Sequence, residues 1–100
     1  MVRNETTGSV AILTLDRAER RNALGTESIR ALCSALRGAD ADEAVRAIVL
    51  TGAAPAFCAG SDLKELGGLS VQAMCEHEAE TAAVVRSIGF LTKPVVAAVE

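Results

Sequence analysis

The chain has 100 residues, half of them apolar but only two aromatic, and a formal charge of −3. That length allows one domain at most, with a core that small aliphatic side chains must fill. No basic stretch interleaved with aromatics points to nucleic acid, and no run reaches membrane-spanning length. The opening MVRNETTGS lacks an apolar signal core. Cys33, Cys58 and Cys75 are odd in number and lack metal-ligand spacing, which fits a reducing compartment and leaves no metal site to propose. The expectation is a soluble, cytoplasmic chain.

Val2–Glu5 and Val10–Leu15 predict a hairpin across Thr6-Thr7-Gly8-Ser9. Thr26 is placed as the N-cap of a first helix, with Glu27 favourable in its first turn. Ile29, Leu32, Cys33 and Leu36 follow at i, i+3, i+4 and i+7, Arg37 lies in the last turn, and Gly38 is read as the close. Asp40–Glu43 is an acidic linker. Ser70 caps a long helix running to about Ile88, with Val71, Met74, Cys75, Ala82, Val85 and Ile88 as its inward positions. Pro94–Val99 reads as a buried strand. The order β-β-α-β-α-α-β implies an α/β architecture.

The most informative stretch is Ala47–Leu66. Ala47-Ile48-Val49-Leu50, closed by Thr51-Gly52, reads as a strand covered on both faces. Cys58-Ala59-Gly60-Ser61 has almost no side-chain bulk, so a ligand can approach its backbone. Asp62-Leu63-Lys64-Glu65-Leu66 has helix-start chemistry, with Asp62 and Glu65 spaced as a capping box. An N–H at such a junction suits an oxygen that gains negative charge during a reaction.

At these residues the chain resembles the crotonase superfamily, the enoyl-CoA hydratase/isomerase family. CAGSDLKEL is similar to its first oxyanion-hole motif. VAILTLDRAERRNAL, VRAIVLTG and KPVVAAVE follow the family's opening strand and turn, the strand before the oxyanion loop, and the strand before the second oxyanion element. The opening segment departs at Ala18, where proline is frequent; this touches only turn rigidity. The resemblance implies a crotonase-like spiral of ββα units, of which residues 1–100 form the N-terminal portion. In that family a glycine-rich turn with the second N–H and the catalytic carboxylates follow, so the chain is read as cut short after strand 94–99. Glu65 and Glu100 are given no catalytic role.

The resemblance implies that the backbone N–H of Ser61 is the first oxyanion donor. From spacing alone Ser61 is an ordinary N-capping serine; the flanking motifs decide for the donor. Ala59, Gly60, Ser61, Asp62, Leu63 and Lys64 match positions that line the acyl-CoA pocket. The Lys64 side chain reads equally as solvated, and Asp62 itself as a cap rather than an acid. Arg20 and Arg21 would lie near the coenzyme A phosphates, where a guanidinium suits phosphate; individually each reads as a charged turn residue. Asn22 reads as a turn residue bonding local backbone, and Cys58 as packing. His77 is assigned to a solvated helix face, without the partners a general base needs.

The implied activity is enolate stabilisation on an acyl-CoA thioester, with hydration of a 2-enoyl-CoA first and isomerisation second. No cofactor is expected, because coenzyme A arrives with the substrate; the expected assembly is a homotrimer or hexamer. The rival reading is a non-catalytic fragment or a short CoA-binding, self-associating module.

Overall fold

The computed structural model describes residues 1–99; Glu100 lies outside them. Strand β1 (Val2–Thr7) and β2 (Val10–Leu15) form the expected hairpin, but a shorter turn joins them. Thr6 and Thr7 pair with Ala11 and Val10 instead of turning. Gly8 and Ser9 alone reverse the chain, and Gly8 takes a positive φ of 60°, the first-position geometry that favours glycine in a two-residue hairpin.

Helix α1 (Thr26–Ala41) starts one residue earlier than its cap was placed. Gly25 is the N-cap, and Thr26 is the first helical residue. The helix also runs through Gly38, and Asp40 is helical rather than linker. The reason lies far away in sequence. Asp40 Oδ1 accepts from Thr92 N (3.0 Å), Thr92 Oγ1 (3.0 Å) and Lys93 N (3.2 Å). Lys93 Nζ donates to the carbonyls of Ala39 (2.9 Å) and Asp42. A lysine bonded to the last carbonyls extends the helix past a glycine that costs about 1 kcal/mol on its own.

Next come β3 (Ala47–Gly52), the single-turn α2 (Leu63–Leu66), α3 (Val71–Ile88) and β4 (Val95–Ala98). The sheet order is β1-β2-β3-β4, antiparallel in the hairpin and parallel thereafter. One sheet face carries Ala11, Leu13, Leu15, Ile48 and Leu50 against Ile29, Leu32, Leu36, Ala39 of α1 and Val84 of α3. Ser70 caps α3 by accepting from Ala73 N (3.1 Å).

Three packing expectations change. β3 is buried on one face only; on the other, Ile12, Val49 and Val96 line up across β2, β3 and β4. β4 is an edge strand, with Val96 57 % exposed. On α3 the inward stripe is Ala73, His77, Thr81, Val84 and Ile88, whereas Val71, Met74, Cys75, Ala82 and Val85 face out. Small apolar residues surround this helix on every side, so the 3.6-residue period did not single out a face.

Candidate functional site

The site is built where the loop after β3 folds back on the turn after β2. Behind β2, a single 3-10 turn (Ala18–Arg20) leads into Arg21 and Asn22, at φ 52° and 58°. Asn22 tolerates that left-handed geometry better than most residues. Its side chain is buried, and every polar atom is used. Oδ1 accepts from Arg17 N (2.8 Å), and Nδ2 donates to the carbonyls of Ala53 (2.9 Å) and Ala56 (2.7 Å). Asn22 is thus the expected turn residue, and it also staples the turn to the loop that carries the site. That second role has no local signal in the sequence.

The loop returns tightly. A Cβ at Gly52 would collide with the backbone of Ala56 and Phe57, so only glycine lets the chain pass there. Beyond it the chain runs alongside residues 21–24. Ala59 N donates to Arg21 O (3.0 Å), Leu24 N to Gly60 O (2.7 Å) and Asp62 N to Leu24 O (3.0 Å). Leu24 and Ser61 form an isolated parallel bridge. Because Gly60 and Asp62 spend their polar groups on Leu24, pleating turns the Ser61 N–H to the opposite side. That N–H has no acceptor among the described residues. Gly60, at φ 96°, makes the reversal before it. Ala59 and Gly60 are exposed, and Ser61 is half-buried.

Asp62 then caps α2, accepting from Lys64 N (3.1 Å) and Glu65 N (3.4 Å) as expected. Its buried carboxylate also meets Arg17 Nη1 (3.2 Å) and Arg20 Nη2 (2.9 Å). Burial alone would raise its pKa. The Glu65 N–H, the Arg20 and Arg17 charges and the Lys64 N–H outweigh that and hold it below the ordinary carboxylate value. Arg20 is therefore occupied with Asp62, while Arg21 is the exposed cation of the pair expected near phosphate. Leu63 and Lys64 are exposed beside the loop.

Glu65 does not complete a capping box. Its carboxylate crosses to α1 and accepts from Thr26 Oγ1 (2.6 Å) and Thr26 N (3.1 and 3.2 Å). Those two hydrogen bonds hold its pKa down against burial. The Thr26 N–H is one of the orphan donors of α1, and its satisfaction by a distant carboxylate outcompetes the local box. A helix of four residues sums little dipole, so α2 adds little field at the Ser61 amide.

Under Leu24, Phe57 and Cys58 lies an apolar cavity of about 150 Å³, closed by Thr81, Val84 and Ile88 of α3. Cys58 packs here, as read from the sequence, and its Sγ accepts from Gly60 N (3.4 Å). His77 departs from its reading: it is 4 % exposed, on the inner side of α3. Among the described residues, no helix is long and apolar enough to cross a membrane.

The profile of the enoyl-CoA hydratase/isomerase family matches residues 5–100. The chain belongs to that family. It is 51 % identical over 65 residues to a probable enoyl-CoA hydratase of Rhizobium meliloti, a match covering 65 % of this chain and 25 % of that protein. A probable enoyl-CoA hydratase of Rhodobacter capsulatus is 38 % identical over 98 % of this chain and 37 % of its own length. The crystal structure of an enoyl-CoA hydratase from Bacillus anthracis superposes with a TM-score of 0.94 at 28 % identity, covering 98 % of this chain and 39 % of that one. The fold is therefore that of the crotonases, and the chain spans well under half the length of these family members.

Proposed function

We propose that, in the protein to which these residues belong, the Ser61 N–H donates to the carbonyl oxygen of an acyl-CoA thioester and stabilises the enolate formed from it. The observation that carries this reading is the Ser61 amide itself. It is turned away from its bridge partner, lacks an acceptor among the described residues, and is flanked by Gly60 and Asp62, both hydrogen-bonded to Leu24. A donor held ready for a charge that develops only in the transition state accelerates the step it faces. One such donor is worth about 3–4 kcal/mol.

The reaction favoured is hydration of a 2-enoyl-CoA. Water bonds through oxygen to the β-carbon and gives up one proton, the double-bond pair shifts to the bond between α-carbon and carbonyl carbon while the carbonyl pair moves onto its oxygen, and the carbonyl re-forms as the α-carbon takes a proton. Ala59, Gly60, Leu63 and Lys64 would flank the thioester arm above the buried Asp62, and Arg21, exposed where Arg20 is held by Asp62, would lie toward the phosphates. The apolar cavity under Leu24 and Phe57 offers the acyl end a dry wall. No resident cofactor is invoked. The second donor and the carboxylates that handle water are sought outside these 100 residues. The same goes for the trimeric or hexameric assembly, and a cytoplasmic location is part of the same proposal.

Incubating the parent protein with a short-chain 2-enoyl-CoA tests the reading. Loss of the conjugated-thioester absorbance with gain of one water in the product's mass is expected. Migration of the double bond without gain of water would move the assignment to isomerisation. No turnover of any enoyl-CoA would overturn it.

A further inference from the structure

The sequence pattern marks Val71, Met74, Cys75, Ala82 and Val85 as inward positions of α3, and the fold turns all five outward. Val71 is 80 % exposed and Val85 64 %. At about 100° per residue these side chains gather on one side of the helix, away from the buried His77 and Val84. An apolar helix face left wet in this way marks a contact surface.

The charges in the face narrow what covers it. Glu78 lies within it and Arg86 on its rim, both exposed. Neither has an ion-pair partner among the described residues. Glu78 precedes Ala82 by four residues and Arg86 follows it by four. An antiparallel copy of α3 laid on this face, with Ala82 at the two-fold axis, therefore sets each Glu78 opposite Arg86 of the other copy. Ala82, with Cys75 and Gly89 seven residues to either side, has little bulk, and side chains at the contact decide how closely two helices approach. A two-fold contact has to be self-complementary in this manner; a segment of other sequence requires no charge pattern centred on one alanine. We propose that α3 is a self-association surface: in the parent protein it packs antiparallel against α3 of a second copy, with Glu78–Arg86 ion pairs flanking Ala82. Nothing in this contact depends on the reaction proposed above.

Sedimentation velocity of the parent protein tests it, with wild type, Glu78→Arg, Arg86→Glu and the double exchange Glu78→Arg/Arg86→Glu. Both side chains are solvated in a single copy, and the melt of each variant confirms folding. Each single exchange sets like charges face to face twice. It should raise the dissociation constant of this step by about tenfold or more, halving the sedimenting mass where the wild type is associated. The double exchange restores opposite charges across the axis and should return the wild-type mass. In a Cys75→Ser background, Ala82→Cys should give a disulfide-linked dimer on mild oxidation, because a residue on a two-fold axis is its own neighbour. Single variants that sediment as wild type would overturn the proposal, as would failure of Ala82→Cys to cross-link. A double exchange that stays dissociated would also overturn it and give the face to another segment of the chain or to a different protein.

Discussion

Leu24 N lies 2.7 Å from the carbonyl oxygen of Gly60, and Leu24 O accepts from Asp62 N at 3.0 Å. Two residues on either side of Ser61 are thereby tied to one residue of a different segment, and the Ser61 amide between them is left facing outward. The turn at residues 21–24 is thus the mould for the loop, and its own shape depends on Asn22.

Asn22→Ala should therefore destabilise the parent protein by roughly 3 kcal/mol. It strands Arg17 N and the carbonyls of Ala53 and Ala56, and buried unsatisfied groups cost about 1–3 kcal/mol each. Asn22→Asp keeps the size and the acceptor for Arg17 but sets an oxygen against two carbonyl oxygens. It should be no better than alanine at neutral pH. Denaturant midpoints of the three proteins check this; a wild-type midpoint for Asn22→Asp would show that the staple is dispensable.

Acid should loosen the same region. Asp62 and Glu65 both have folded pKa values below their ordinary ones. Their stabilisation is fully present above the unfolded-state pKa of about 4 and is lost as pH falls through the lower folded values. Tm should thus drop steeply below about pH 4. Asp62→Asn, which still caps α2 but cannot pair with Arg17 and Arg20, should start lower and fall less. Parallel Tm–pH curves for the two proteins would contradict the assignment.

What was legible in the sequence was local. The hairpin, the Asp62 and Ser70 caps and the order of elements follow from alternation, capping residues and glycine placement within a few residues of each other. The contacts that shape the site join distant segments. Glu65 reaches Thr26 and not its own helix start, Lys93 extends α1 past Gly38, and Asn22 reaches Ala53 and Ala56. No periodicity encodes such partners. His77 sits among glutamates in sequence, which suggests a wet surface, but a helix rotates by about 100° per residue and only neighbouring helices decide which side is dry.

The outer sheet face makes its own prediction. Ile12, Val49 and Val96 form an apolar row across three strands, and Val96 is more than half exposed. A polypeptide of these 100 residues should bind a hydrophobic dye and self-associate with rising concentration. Val96→Thr should weaken both. A monodisperse monomer with a sharp melt, seen by sedimentation and calorimetry, would count against it.

On the proposed mechanism the Ser61 backbone N–H, and not its hydroxyl, is the working group. The most direct measurement is kcat/KM of the parent protein for a 2-enoyl-CoA with Ser61→Ala and Ser61→Pro, each confirmed folded by its melt. Proline deletes an N–H that serves no acceptor among the described residues. Near-wild-type turnover is expected for alanine and a loss of about 100-fold or more for proline. Equal damage from both, or none from proline, would contradict the mechanism.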